Sequence, residues 1–70
     1  MNLTPRQAEI AGLVARGMST KAIASEAGIS ERTAEVHIQQ AAQRIGGDTP
    51  PRHRLMLWFF SLKKKAPEAV

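Results

Sequence analysis

Ile10, Leu13 and Val14, with Ala11 beside them, repeat at helical spacing and predict a first helix over about Pro5–Arg16. Its start is written in three residues: Thr4 as hydroxyl cap, Pro5 at the first helical position and Gln7 completing a capping box. Gly17 supplies a left-handed stop. Ser19 then caps "TKAIASEA", which ends at Gly28 and offers only Ile23, Ala24 and Ala27 as an apolar face. A helix so short does not hold by itself, so it must be packed onto neighbours. Ile29 plugs the turn that follows, and Ser30 caps the next helix.

That third helix has the clearest stripe. Ala34, Ile38, Ala41 and Ile45 follow at steps of four, three and four, which places them on one inward face. Arg32, Glu35, Val36, Gln39, Gln40 and Gln43 face away from it. Gly46-Gly47 ends the helix, and Asp48-Thr49-Pro50-Pro51 reads as a stop and restart. A fourth helix is expected over about residues 50–64, capped by Thr49. Residues 66–70, with Pro67, read as a flexible tail. No strand pattern and no repeat appear. The expectation is therefore all-α: one four-helix domain over residues 1–65.

Seventy residues leave no room for a second core. Ten Lys+Arg against six Asp+Glu give a formal charge of +4, which favours acidic partners and nucleic acid first. The absence of cysteine excludes disulfide staples and Cys-based zinc sites, and suits a reducing compartment. The longest apolar run, "LMLWFF" over Leu55–Phe60, is too short to span a bilayer, and no secretion signal opens the chain. A cytoplasmic protein with no membrane association is expected. A chain this short commonly needs a metal, a disulfide or a second chain for stability, and only the last has a candidate here.

The junction of the second and third helices carries the functional signal. Ala24 is a small residue where two helices would cross closely, and Gly28, four residues on, permits the positive φ of a tight turn. This is the spacing of a helix-turn-helix, which holds its second helix outward for a major groove. An ordinary helical hairpin in a small bundle has the same spacing.

Three segments, "LTPRQAEI" at Leu3–Ile10, "GMSTKAIASEAGIS" at Gly17–Ser30 and "RTAEVHIQQAAQRIG" at Arg32–Gly46, together resemble the LuxR/GerE-type helix-turn-helix. A further helix follows where that family also has one. The resemblance implies a four-helix domain that binds promoter DNA, usually as a dimer, with the third helix reading the groove and the fourth often joining the dimer. Carried over by position, it implies that Glu35, Val36 and Gln39 face bases. It implies that Ser19, Thr20, Lys21, Thr33 and His37 touch phosphates or sugars, with Arg32, Gln40 and Arg44 added on the same backbone-facing side. The sequence departs from the pattern: Ala34 replaces a usual valine, Glu35 a common lysine and Gln40 a frequent asparagine, while Ala41 is smaller than usual. These changes leave the fold intact and put the usual target sequence in doubt.

Each residue also has a plainer reading. Glu35 is either a solvated surface acid paired with Arg32 or an acceptor from a cytosine amino group. Gln39, Gln40 and Gln43 are good helix formers with no need of a ligand. His37 reads as a groove-edge or packing residue, since no second metal ligand is spaced for it. Lys21 is a solvated lysine or a phosphate anchor.

The third helix carries no charge surplus, and neither does the body. Residues 1–48 hold five bases (Arg6, Arg16, Lys21, Arg32, Arg44) and five acids (Glu9, Glu26, Glu31, Glu35, Asp48). The surplus comes from Arg52, Arg54, Lys63, Lys64 and Lys65 against Glu68. Phosphate neutralisation is independent of sequence and can be done beside the reading helix. Hydroxyls such as Ser19, Thr20, Ser30 and Thr33 add uncharged donors. For Lys63–Lys65, the plain alternative is a solubilising run at a helix C-terminus.

"LMLWFFSL" is apolar on every side. One face can cover the other helices, but the opposite face leaves side chains such as Met56, Leu57 and Phe60 for a second surface. A homodimer through the fourth helix is expected. No nucleophile–base signature, phosphate loop or metal spacing is present, so neither enzymatic activity nor a cofactor is expected. The reading is a stand-alone transcription regulator binding double-stranded DNA as a dimer. Its rival is a small interaction protein that pairs with related LuxR-type regulators through the fourth helix and blocks them.

Overall fold

The computed structural model describes the backbone of residues 3–68 and the side chains of residues 3–62. Four helices follow in order: α1 (Pro5–Ala15), α2 (Thr20–Ala27), α3 (Glu31–Ile45) and α4 (Pro51–Glu68). No strand occurs among the described residues. The expected all-α, four-helix architecture is what the chain adopts.

Local chemistry sets the helix starts. Thr4 Oγ1 accepts from the Gln7 N–H at 3.1 Å, and Gln7 Oε1 accepts from the Thr4 N–H at 3.0 Å, closing the capping box. Such a cap stabilises by about 1 kcal/mol. Ser19 Oγ takes the Ala22 N–H at 3.1 Å, and Ser30 Oγ takes the Thr33 N–H at 3.0 Å. Between α2 and α3, Gly28 has φ of 71°, a conformation that disfavours a side chain. The Ile29 N–H then reaches back to the Ala24 carbonyl at 2.9 Å, turning the chain sharply into α3.

The core is small and rich in alanine. Ile10, Ile23, Leu55 and Val14 are its largest fully buried side chains, joined by Ala11, Leu13, Ala24, Ala34, Ile38, Ala41 and Ala42. Burying one of the large aliphatics fully contributes about 1.5–3 kcal/mol, while the alanines let helix backbones approach. α3 packs against α1, α2 and α4, and α4 also packs on α1. The inward face of α3 is Ala34, Ile38, Ala41 and Ala42, with Ile45 only half-buried. Ile45 still packs against the core, so the expected stripe is kept and is widened by the buried Ala42.

The fourth helix corrects the sequence reading twice. It starts at Pro51, so Thr49 is not its cap. A residue before proline is held out of the α region, which excludes Pro50 from the helix and leaves Pro51 in the first helical position. The Arg54 N–H bonds the Pro50 carbonyl at 2.9 Å, closing that first turn. At its other end the helical backbone continues to Glu68 rather than stopping near Lys64. The side chains of residues 63–68, Lys63–Lys65 among them, and the whole of residues 69–70 lie outside those described.

Candidate nucleic-acid interface

α3 has one buried face and one exposed face. Arg32, Glu35, Val36, Gln39, Gln40, Gln43 and Arg44 are exposed, Val36 at 40% despite being apolar. Glu35, Val36 and Gln39 sit together on that face, as expected of three residues within about one helical turn. His37 is half-buried at its margin. Among the described residues Glu35 makes no ion pair; the pair formed is Arg6 with Glu9 at 3.5 Å on α1. The pairing with Arg32 that the sequence allows is absent there.

The hydroxyls divide into two roles. Ser30 spends its proton on Thr33 Oγ1 at 2.9 Å, which leaves the exposed Thr33 hydroxyl with its own proton to give. Ser19 and Lys21 are exposed at the start of α2, and Thr20 between them is half-buried. An open groove of about 270 Å³ joins α2 and α3 to the start of α4 and is lined by Thr20, Glu35, Ile38, Gln39, Pro50, Pro51 and Arg52. It brings Thr20, Glu35 and Gln39 together. The α4 residues of its wall are not foreshadowed by any local pattern.

Arg52 and Arg54 are not the loose flanking cations that charge counting implies. Arg52 donates to the Met18 carbonyl and, at 3.4 Å, to Thr20 Oγ1. Arg54 donates to the Ala42 carbonyl at 2.9 Å and to the Thr49 carbonyl, while its Nε is buried without a partner. Arg54 thereby adds a second donor to the Ala42 carbonyl, which also takes the Gly46 N–H at 2.9 Å, and pins the α3–α4 connection. Both arginines are half-buried.

The outward side of α4 is apolar. Leu55 is fully buried, Trp58 packs against the core, and Phe59 lies over Gly12 of α1. Leu57, Phe60 and Leu62 remain 52%, 46% and 50% exposed. Met56, expected with Leu57 and Phe60 at a dimer contact, is half-buried. Leu62, also exposed, lies seven residues beyond Leu55 and so on a different side of α4 from Leu57 and Phe60. Among the described residues no helix is long and apolar enough to cross a membrane.

This arrangement matches known proteins in its first two thirds. Over 44 residues the chain is 43% identical to the transcriptional regulatory protein MctR of Rhizobium johnstonii, covering 63% of this chain and 21% of that protein. Over 44 residues it is 46% identical to the spore germination protein GerE of Bacillus subtilis, covering 63% of this chain and 60% of that one. The chain thus matches only part of each relative's length. No solved structure matches it. The family model of the bacterial regulatory proteins of the luxR family matches residues 1–48, most of the 70 present, and the chain belongs to that family.

Proposed function

We propose that the chain binds double-stranded DNA as a homodimer and regulates transcription in the cytoplasm, with α3 in the major groove. Glu35, Val36 and Gln39 meet base edges. Ser19, Thr20, Lys21, Arg32, Thr33, His37, Gln40 and Arg44 hold phosphates and sugars. The observation that carries the reading is the division of α3. Its inward alanine–isoleucine face is buried while Glu35, Val36 and Gln39 are exposed, on a helix set by the Gly28 turn. Family membership supports it.

The side chains suit base edges. A carboxylate accepts from the cytosine amino group, a carboxamide pairs twice with adenine, and a valine methyl packs on the thymine methyl. A near-neutral reading helix is then no obstacle, because Arg32 and Arg44 of α3 still meet phosphates and further phosphate attraction can come from beside the helix. The dimer draws on Leu57 and Phe60, two exposed apolar side chains about one helical turn apart on α4. Selection on random duplexes tests the reading. A recovered motif with two related half-sites supports it. Loss of all sequence preference would instead favour a protein that pairs with related regulators and withholds them from DNA.

A further inference from the structure

The groove beside Glu35 and Gln39 has one wall built by α4, and a single side chain carries that wall to α2. α4 packs on α1 and α3, but among the described residues its backbone makes no close approach to α2. Arg52, the second residue of α4, spans this separation. Its Nη1 donates to Oγ1 of Thr20, the first residue of α2, and its Nη2 donates to the carbonyl of Met18 in the α1–α2 loop. A hydroxyl that accepts one N–H still has its own proton to donate. With Arg52 on one lone pair, the Thr20 hydroxyl is free to turn its proton away from the guanidinium, and Thr20 lines the groove.

The neighbouring backbone has the same polarity. Ser19 takes the Ala22 N–H on its side chain and the Ile23 N–H on its carbonyl. The amides of Thr20 and Lys21 stand at the open end of the helix, where the first N–H groups have no intrahelical partner. Thr20 and Arg52 both line the groove.

We infer that Arg52 is a positioning residue for DNA: by holding Thr20 Oγ1 as an acceptor, it aims the Thr20 proton at a backbone phosphate flanking the bases met by Glu35 and Gln39. The inference rests on the DNA-binding reading above. It makes phosphate grip at α2 depend on the seat of α4, although the two helices do not pack together. Arg52 acts through Thr20 rather than by touching the phosphate.

A double-mutant cycle tests this. Wild type, Thr20→Val, Arg52→Gln and the double variant are titrated against a fluorescent duplex carrying the selected motif, each first shown to be folded by circular dichroism. Each single variant should weaken binding about five- to tenfold, as for loss of one hydrogen bond of ordinary strength. The double variant should bind no more weakly than the weaker single one. Losses that multiply would overturn the inference, since residues acting independently are additive in free energy. Arg52→Lys separates charge from orientation: a lysine keeps the charge but lacks the fork that reaches two acceptors. It should bind as poorly as Arg52→Gln, and wild-type affinity would also overturn the inference. Should Arg52→Gln fail to fold, the Arg52→Lys and Thr20→Val pair completes the same cycle. A wild-type protein that binds no duplex would defeat the DNA reading itself, whereas binding with an additive cycle defeats only the role of Arg52.

Discussion

Phe59 of α4 lies against Gly12 of α1 so closely that a Cβ built on Gly12 would come within 3.2 Å of Phe59 Cε1. The absent side chain is what seats α4 on α1. Phe59 in turn meets Phe60 edge to face, with ring centroids 6.1 Å apart and planes at 72°. Gly12 therefore sets the position of the aromatic pair whose second member is exposed.

Two opposing effects decide the outcome at Gly12. Alanine is favoured over glycine within a helix by about 1 kcal/mol, whereas crowding a packed site costs about 1–3 kcal/mol. Phe59 is only half-buried and its ring edge can give by tenths of an ångström. Gly12→Ala should thus change stability by less than about 1 kcal/mol, with the two effects offsetting. Gly12→Val adds bulk that the ring cannot evade, and should destabilise by about 1–3 kcal/mol in urea unfolding. Equal midpoints for wild type and Gly12→Val would contradict this packing.

Arg54 supports the joint between α3 and α4. Arg54→Ala removes hydrogen bonds to the Ala42 and Thr49 carbonyls in a half-buried place. Hydrogen bonds to charged groups contribute about 1.5–3 kcal/mol, so the variant should unfold at distinctly lower denaturant. Arg54→Lys should recover only part of the loss, because it lacks the fork. An unchanged unfolding midpoint in Arg54→Ala would show that the connection is held by apolar packing alone.

How far the sequence can be read follows from this contrast between local and distant partners. Caps and stops are legible because Thr4, Ser19, Ser30 and Gly28 act on backbone within a few residues of themselves. Thr49 reads wrongly as a cap because its hydroxyl is the more visible signal, whereas Pro51 decides the matter by excluding Pro50 from the helix. Arg52 and Arg54 read as surplus charge because their acceptors, Met18, Thr20, Ala42 and Thr49, are assigned by packing that no local pattern encodes. The outward set on α3 is legible from its period, and family likeness adds the roles. The groove wall at Pro50–Arg52 is not, since it needs the start of α4 placed beside α2 and α3.

Phe60 gives the test of dimerisation. It is 46% exposed and near the likewise exposed Leu57, so a charge there spares the core. Phe60→Glu should give a folded monomer by sedimentation, with weaker DNA binding and an unchanged helical spectrum. A wild type that sediments as a monomer at tens of micromolar would contradict the proposed dimer.

Lys63–Lys65 are assigned sequence-independent affinity. Neutralising them should weaken binding to every duplex alike. It should also flatten the salt dependence by up to about 0.9 log units per log unit of salt for each phosphate that is no longer neutralised. An unchanged slope would make the three lysines a solvated end of α4.

A helix without charge surplus is proposed to read bases through Glu35 and Gln39. A carboxylate beside phosphates weakens total binding, so under the proposed reading Glu35 contributes discrimination and not affinity. Each good base contact discriminates by about 1–3 kcal/mol, enough to resolve in a selection. Duplex selections with wild type, Glu35→Ala and Gln39→Ala are the most direct measurement. Glu35→Ala should keep or gain affinity while relaxing one base pair, and Gln39→Ala should lose both affinity and preference at a neighbouring one. The same motif recovered from all three proteins would contradict this reading.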